Sequence, residues 1–276
     1  MGTAVHLLAQ AKGREPLRLS NQVQGTRREV LPTKVVDSAE GYRRWASTYD
    51  RTPNPLLARE ERYVIPRLPD LSGMDVVDVA CGTGRWLAHL LARGVRSGIG
   101  FDTSSAMLRA ATGKERVRGR LIQADCLHLP FDVGSFDFAI CSFAVGHLQN
   151  VELLFRELAR ILKPGSRLVV TDLHPAAYAI GWRTGFRDEL GPAQIDTHLC
   201  SLTEMEAASS RNGFDRLSYS ELRMEAAEKP IFVAANKREL FDEVIDKPAI
   251  FVLELKRNAS VDPDHYSRGT FSLTHA

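Results

Sequence analysis

The chain contains 276 residues, carries a formal net charge of +2 and is 44% hydrophobic. This length and composition predict one large α/β domain, and the near-neutral charge argues against nucleic acid as a partner. No apolar run approaches the ~20 residues that a membrane span requires, and the N-terminus lacks the pattern of a secretory signal. The four cysteines form no C-x-x-C pair, so we expect reduced thiols, a cytoplasmic location, no metal site and no membrane partner.

Strand-like and helix-like patterns alternate along the chain, which is typical of a doubly wound parallel sheet. The strand segments are almost wholly apolar, as expected for strands that are covered on both faces. Pro164 and Gly165 are expected to end a helix before the fifth strand begins. The pattern predicts strands near 75–80, 96–101, 119–124, 136–142 and 166–172, helices near 84–93, 104–111 and 151–162, and two later strands near 214–223 and 249–256.

Three regions lie outside these alternating elements. Residues 1–35 are polar and irregular, and we expect an N-terminal extension that is either disordered or docked on a neighbouring subunit. Residues 38–64 have a helical pattern, and residues 173–200 carry several aromatic side chains. These boundaries predict a core domain over 36–258, in which 173–200 is an insertion, and a C-terminal tail over 259–276.

The most informative segment is a buried strand that runs into a glycine-bearing turn and then a helix. Gly82 and Gly84 lack the Cβ atoms that would keep a ligand away from the backbone near the helix N-terminus. A dinucleotide fingerprint needs a third glycine where this chain has Leu87. Asp78 precedes the turn, and a carboxylate there repels a pyrophosphate but attracts a cationic amino group. The turn therefore suits a ligand with a positively charged end; a turn used only for packing is the alternative.

A second acid, Asp102, ends the next predicted strand. An acid about 20 residues beyond a glycine turn is where α/β nucleotide sites bind ribose hydroxyls. A carboxylate suits that position because it can accept both hydrogen bonds of a vicinal diol. The alternative is that Asp102 caps the following helix, but together with the glycine turn the pattern favours a ligand.

At these positions the sequence resembles the class I S-adenosylmethionine-dependent methyltransferases, over roughly residues 38–258. The wording of the motifs is similar to the small-molecule branch that includes ubiquinone/menaquinone methyltransferases, with a methyltransferase type 11 domain. One departure is Ala80, where the family often has glycine. The matching segments follow the family order and are Asp78–Gly84, Gly98–Asp102, Gln123–Phe131, Ser135–Phe143 and Leu162–Ser166.

The resemblance implies a fold, a cofactor and a set of binding residues. The fold is a Rossmann-like doubly wound seven-stranded α/β sheet, mostly parallel, with an antiparallel C-terminal edge hairpin and an N-terminal helical lid. The cofactor is S-adenosyl-L-methionine, with S-adenosyl-L-homocysteine as its product, and Arg85 or Tyr49 would meet its carboxylate. The implied cofactor-binding residues are Tyr49, Asp78, Ala80, Gly82, Gly84, Asp102, Thr103, Met107, Asp125, Cys126, Ser142 and Phe143.

Two histidines follow predicted strands and are candidates for removing a proton from the methyl acceptor, since histidine titrates near neutral pH. His174 follows the fifth strand and His147 follows the fourth; a supporting role is the alternative for both. The aromatic residues of 38–64 and 173–200 are expected to form a lid over the site, which suits a planar or apolar acceptor. The alternative is that these rings only pack the lid onto the core. The predicted substrate pocket consists of Tyr42, Trp45, Tyr178, Trp182 and Phe186.

The leading hypothesis is therefore methyl transfer to a small molecule, either a quinone-like or a secondary-metabolite scaffold. A second hypothesis keeps the fold but has methylation trigger, or be replaced by, a cyclisation or rearrangement. A third is an NAD-type reductase or a non-catalytic nucleotide-binding module, against which Asp78 and the missing third glycine argue. Nucleic-acid methylation is disfavoured because no proline pair follows the fourth strand. The acceptor and its reacting atom stay open, as does a homo-oligomeric state.

Overall fold

The structure, a computed structural model, describes residues 32–258. Residues 259–276 and most of the predicted extension 1–35 lie outside the described residues. The strands are β1 (Lys34–Val36), β2 (Asp75–Val79), β3 (Ser97–Asp102), β4 (Leu121–Gln123), β5 (Phe136–Ser142), β6 (Leu162–Leu173), β7 (Gly185–Asp188), β8 (Gly191–Ile195), β9 (Phe214–Arg223) and β10 (Pro248–Arg257). The α-helices are α1 (Ser38–Trp45), α2 (Pro55–Val64), α3 (Arg85–Leu91), α4 (Ser105–Ala111), α5 (Val151–Ile161), α6 (Pro175–Ala179), α7 (Leu202–Arg211), α8 (Lys229–Ala234) and α9 (Arg238–Val244).

Seven of these strands form one sheet in the order β4-β3-β2-β5-β6-β10-β9. Strands β2 to β6 pair in parallel, and β10 pairs antiparallel with both β6 and β9. The predicted fold class is thereby confirmed, including the antiparallel pair at the C-terminal edge. Helices α8 and α9 lie between the two strands of that pair in the chain.

Strand β2 shows how the core forms on both faces of the sheet. Val77 and Val79 pack into the cluster on one face and Val76 into the cluster on the other, and all three are fully buried. Alternation of side chains along a strand produces this division. Asp78 therefore shares the face of Val76, where its Oδ2 accepts a hydrogen bond from the backbone N–H of Leu87 in α3, at 2.8 Å. An acid inside the buried strand is thus satisfied by the helix that follows the turn.

The start of β6 differs from the sequence prediction. The strand begins at Leu162 rather than near 166, so that Pro164 and Gly165 lie within it instead of ending a helix. Helix α5 ends at Ile161, and Leu162 pairs at once with Phe136 of β5 before a shift in register. Pairing with β5 overrides the local turn signal.

A second, three-stranded sheet in the order β1-β8-β7 was not predicted. Lys34–Val36, whose first two residues belong to the segment expected to be irregular, pairs in parallel with β8, which forms a hairpin with β7 inside the predicted insertion 173–200. Helix α1 packs on this sheet so closely that a Cβ atom at Gly41 would lie 2.6 Å from Ile195 Cγ1. The N-terminal region and the insertion therefore build one unit over the main sheet.

Helix α2 is anchored to the main sheet by a fully buried carboxylate, Glu60. Its Oε1 accepts hydrogen bonds from Ser142 Oγ of β5, at 2.7 Å, and from Thr171 Oγ1 of β6. Its Oε2 accepts from Arg85 Nη2, at 2.6 Å, and from Trp86 Nε1, at 3.3 Å. A buried charge is tolerated only when it is paired and hydrogen-bonded, so this carboxylate fixes α2 against two strands and one helix.

We expect Glu60→Gln to lower the free energy of unfolding by about 3 kcal/mol, because it leaves the Arg85 guanidinium without its buried counter-charge. Glu61→Gln is the matched control: Glu61 also pairs with Arg85, at 3.0 Å, but its side chain is 30% exposed. The control should cost less than about 1 kcal/mol. Urea denaturation of the two variants measures both values, and equal losses would contradict the anchoring role of Glu60.

Candidate active site

A cavity of about 460 Å³ opens at the carboxyl ends of β2, β3 and β5. Its volume lies within the ~300–1,000 Å³ range of small-molecule sites, and ligands bind at this edge of open α/β sheets. Eleven of the twelve residues that the sequence predicts for cofactor binding line it, namely Tyr49, Asp78, Ala80, Gly82, Asp102, Thr103, Met107, Asp125, Cys126, Ser142 and Phe143.

Gly84 is the twelfth, and it shapes the turn from behind. It caps α3 with φ of 73°, in the left-handed region that favours glycine, and a Cβ atom there would lie 3.4 Å from Val117 Cγ2. Gly82 (φ 53°) and Ala80 (φ 53°) are also left-handed. The turn therefore presents backbone rather than side chains to the cavity.

Asp102 supports the turn from the neighbouring strand. Its Oδ2 accepts from the Gly82 backbone N–H, at 2.9 Å, and its Oδ1 from the Ser104 backbone N–H, at 2.8 Å. Burial raises the pKa of Asp102, and the two backbone hydrogen bonds oppose that rise. Each carboxylate oxygen has a second lone pair, so Asp102 can bind a ligand while it holds the turn.

Asp78 is the most deeply buried acid of the cavity. Burial raises its pKa to about 7, against the opposing effects of the Leu87 N–H and the positive charge of Arg85. A carboxyl group with such a pKa is about half protonated at neutral pH. A cation that enters beside it would favour the carboxylate form.

Arg85 lines the cavity, but its charge is already paired. Its guanidinium donates to Glu60, to Glu61 at 3.0 Å, and to Ser142 Oγ at 3.0 Å. Two carboxylates thus balance this one cation, which makes Arg85 a poor partner for a ligand carboxylate. Tyr49, the other candidate for that contact, lines the cavity with a pKa that burial raises to about 12.

The segment after Tyr49 ties the N-terminal region to the glycine turn. Asp50 Oδ1 accepts from Thr83 Oγ1, at 2.7 Å. Lys114 pairs with Asp50 and also donates to the Thr83 backbone carbonyl, at 2.7 Å. The turn is therefore held from both the N-terminal and the α4 side.

The structure separates the two candidate histidines. His147 lines the cavity, and its Nε2 lies 2.8 Å from the Tyr42 hydroxyl. His174 does not line it. Its Nδ1 caps α6 by accepting from the Ala176 N–H, and its Nε2 lies 3.2 Å from both Tyr219 Oη and Glu221 Oε1 of β9. In this structure the side chain of His174 contacts the antiparallel edge strand β9 rather than the cavity.

The predicted substrate pocket is only partly assembled. Tyr42 lines the main cavity, and together with Trp45 it lines a smaller adjoining cavity of about 40 Å³. Tyr178, Trp182 and Phe186 line neither. Trp182 is buried in the core, Phe186 stacks on Trp45 with 5.4 Å between ring centroids, and Arg183 lies over the Tyr178 ring. These three rings pack the lid onto the domain.

Sequence reasoning missed Glu60, the residue with the most buried contacts around the site. A signal was available: Glu60 lies four residues after Leu56 and four before Val64, on the apolar face of a predicted helix. An acid on such a face needs a buried partner. Its partners come from distant parts of the chain, which the sequence pattern alone does not bring together.

Comparison with known proteins agrees with this geometry. Residues 77–170 match a family model described as a methyltransferase domain. The resemblance to the class I methyltransferases is confirmed, and the domain contains the glycine turn together with Asp102 and Asp125.

Relatives and solved structures show how much of the chain is similar to known proteins. A demethylmenaquinone methyltransferase of Lactococcus lactis is 34% identical over 116 residues, which are 40% of this chain and 46% of the relative; the chain thus spans about half of that relative's length. An S-adenosylmethionine-dependent methyltransferase from Mesorhizobium loti has a TM-score of 0.59 at 24% identity, covering 74% of this chain and all of that one. The [4+2]-cyclase SpnF has a TM-score of 0.60 at 16% identity, covering 84% and 99%. The two structures show the shared fold.

Two kinds of feature are absent from the described part of the chain. Within residues 32–258, no helix is long and apolar enough to cross a membrane. The same residues contain no group of three or more His, Cys, Asp or Glu side chains arranged to hold a metal ion.

The left-handed backbone conformation of Ala80 allows a test of strain in the turn. Left-handed conformation costs a residue with a Cβ roughly 1–2 kcal/mol, and glycine avoids that cost. We expect Ala80→Gly to leave the free energy of unfolding unchanged or to raise it by about 1 kcal/mol, since the greater flexibility of the unfolded chain offsets part of the gain.

Ala88→Gly, in the middle of α3, is the matched control for Ala80→Gly, because the chemical change is the same and the backbone is right-handed. It should destabilise the domain by about 1 kcal/mol. Thermal and urea unfolding measure both variants. A loss at Ala80 as large as that at Ala88 would show that the turn is not strained.

Proposed function

We propose that this protein transfers a methyl group from S-adenosylmethionine to a small aromatic acceptor of a quinone-like or secondary-metabolite kind. The observation that carries this proposal is that Asp78, Asp102 and Asp125, from three successive strand ends, line one cavity with the bare backbone of the glycine turn. The name of the Lactococcus relative, a demethylmenaquinone methyltransferase, supports a quinone-like acceptor.

The polar residues of the cavity fit the parts of this cofactor. Asp78 suits the α-amino group because its buried carboxylate gains a counter-charge. Asp102 suits the ribose hydroxyls, since it keeps lone pairs beyond its two backbone hydrogen bonds. Asp125 is held by the Leu127 N–H, at 2.9 Å, and suits the adenine amino group. Met107 and Cys126 supply apolar surface beside the adenine position.

When bound, the cofactor supplies a methyl group activated by a sulfonium, so the protein need provide little covalent chemistry. The residues of this chain then have to hold the acceptor in line and keep water out. His147 is the histidine placed to contact an acceptor in the cavity. Burial lowers its pKa to about 4, so it is neutral at pH 7 and acts there through hydrogen bonding.

An aromatic wall supports a planar acceptor. Tyr42, Tyr49 and Phe143 line both the main and the smaller cavity, and so stand between the two. Trp45 backs this wall, with 4.8 Å between its ring centroid and that of Tyr49. Aromatic rings bind planar ligands through stacking and edge contacts, which supports placing the acceptor against this wall.

The cyclisation hypothesis keeps a specific observation in its favour, because SpnF shares the fold over most of this chain. The mass of the product separates the two reactions, since methylation adds one CH₂ unit. An NAD-type reductase is disfavoured by Asp78 and Leu87 at the turn. Binding of adenosylhomocysteine without binding of NADH would exclude the reductase.

Asp102→Ala should abolish measurable binding of adenosylhomocysteine in isothermal titration calorimetry. The substitution removes both the ribose acceptor and the support of the Gly82 N–H. Asp132→Ala is the control, since Asp132 is exposed and lies outside the cavity. It should bind with wild-type affinity. Retained affinity in a folded Asp102→Ala protein, judged by an unchanged melting temperature, would remove Asp102 from the site.

Asp78 should make the binding of adenosylhomocysteine depend on pH. Its pKa is about 7 in the free protein, and a bound ammonium group favours the carboxylate. Affinity should therefore be full above pH 7 and fall by about tenfold between pH 8 and pH 6, as the carboxyl takes up a proton.

Asp78→Asn is the control for this pH dependence. The amide keeps an acceptor for the Leu87 N–H but does not titrate, so its affinity should be weaker and nearly flat over the same range. Calorimetry at four pH values measures both proteins. The same slope in both would assign the titration to another group.

A further inference from the structure

We propose that the Tyr42–His147 pair recognises a hydroxyl group on an aromatic acceptor and so selects a hydroxylated ring over its methyl ether. This inference deepens the proposed function and rests on it. Both residues line the main cavity, and the Tyr42 hydroxyl lies 2.8 Å from His147 Nε2.

The direction of this hydrogen bond follows from the other side of the histidine ring. A backbone group of Asp196 interacts with the ring of His147 and opposes the lowering of its pKa, while Nδ1 is buried and has no hydrogen-bond partner among the described residues. The Asp196 N–H already donates to the Val36 carbonyl, at 2.7 Å. A group that raises the pKa of a histidine accepts from its ring, so this backbone group is the Asp196 carbonyl. Because a phenol O–H is a stronger donor than an imidazole N–H, the favoured neutral tautomer has its proton on Nδ1 and a lone pair on Nε2.

Tyr42 must then donate its proton to His147. Burial raises the pKa of Tyr42 well above its usual value, so the hydroxyl stays protonated. With its proton committed, the Tyr42 oxygen presents only lone pairs to the cavity. A ligand hydroxyl can donate to that oxygen. An ether oxygen in the same place cannot donate a hydrogen bond. Its lone pairs would face those of the Tyr42 oxygen, so both oxygens would lose hydrogen bonds to water without gaining a new one.

Both partners are fixed in place by other parts of the fold. Helix α1, which carries Tyr42, is held by two hydrogen bonds of 2.8 Å from Arg44 to Asp188. The turn that carries His147 is held by the Gly146 N–H, which donates to Asp172 Oδ2 at 2.9 Å. The two rings meet edge to face, 5.2 Å apart at an angle of 89°. A rigid acceptor of this kind discriminates better than a mobile one.

The surroundings select an aromatic ligand. Trp45 lies parallel to Tyr42, with 6.2 Å between centroids, and Tyr49 lies 6.4 Å away. The lone pairs of Tyr42 therefore face a space bordered by rings. The chemistry that fits is an aryl hydroxyl: a flat apolar body with one donor at its edge.

The test compares 2-naphthol with 2-methoxynaphthalene, which lacks that donor and carries one additional methyl group. Calorimetry with saturating adenosylhomocysteine should show that the wild-type protein binds 2-naphthol about tenfold more tightly. Tyr42→Phe should reduce this ratio to about one. Tyr63→Phe is the matched control: the Tyr63 hydroxyl donates to Ser220 Oγ, at 2.7 Å, away from the cavity, and the tenfold ratio should persist.

His147→Leu gives a sharper readout, because it frees the Tyr42 proton. Tyr42 can then donate to an ether oxygen, so 2-methoxynaphthalene should bind more tightly than it does to the wild type and the ratio should fall towards one. A role in packing alone would weaken both ligands equally. Melting temperatures identify any variant that fails to fold. If Tyr42→Phe fails to fold, the ratios of the wild type, His147→Leu and Tyr63→Phe decide the matter.

The outcomes separate this inference from the proposed function. If adenosylhomocysteine does not bind, the proposed function fails, and the two naphthalenes are titrated without it to test the pair. If adenosylhomocysteine binds but the wild type does not prefer 2-naphthol, only the inference fails. A tenfold preference that survives Tyr42→Phe, or no binding of 2-naphthol, also overturns it.

Discussion

The buried ion pair between Glu60 and Arg85 is the constraint on which the site depends. Glu60 comes from the N-terminal helices and Arg85 from the first turn of the helix after the glycine turn, while Ser142 and Thr171 attach the same carboxylate to two strands. Four parts of the chain thus share one charge. Because a buried carboxylate without its partners is costly, separating any one of these segments from the others is unfavourable.

The Glu60–Arg85 pair also determines which charged groups of the cavity are available to bind a ligand. Arg85 is balanced by Glu60 and Glu61, whereas Asp78 has no cation paired with it at hydrogen-bonding distance among the contacts of the described residues. The interior of the cavity is therefore set up to receive a positive group rather than a negative one. This polarity agrees with the expectation, based on Asp78, that the turn does not bind a pyrophosphate. Glu60, which balances the charge of Arg85, was not among the residues predicted from the sequence.

The sequence predicted the main sheet well because its strands are buried on both faces and read as apolar runs. It also predicted the cavity, since Asp78, Asp102 and Asp125 follow directly from where parallel strands end. It was wrong where long-range pairing decided the outcome: β6 starts early because Leu162 meets Phe136, and Lys34–Val36 becomes a strand because β8 is there to pair with it. His174 lies away from the cavity for the same reason, since its ring contacts β9. The sequence shows where a residue lies along its own strand or helix, but its contacts with residues far away in the chain depend on the fold.

The small sheet has a consequence for the order in which the protein assembles. Lys34 pairs with Ala193, so β1 must wait for a strand that is synthesised much later, and closing so long a loop is slow. Strands β2, β3 and β4, which carry or directly precede Asp78, Asp102 and Asp125, lie closer together in the chain and can pair earlier. Folding would therefore complete the nucleotide half of the cavity first, and the aromatic wall with Tyr42 last. A nascent chain could hold adenosylhomocysteine before it is able to distinguish one acceptor from another.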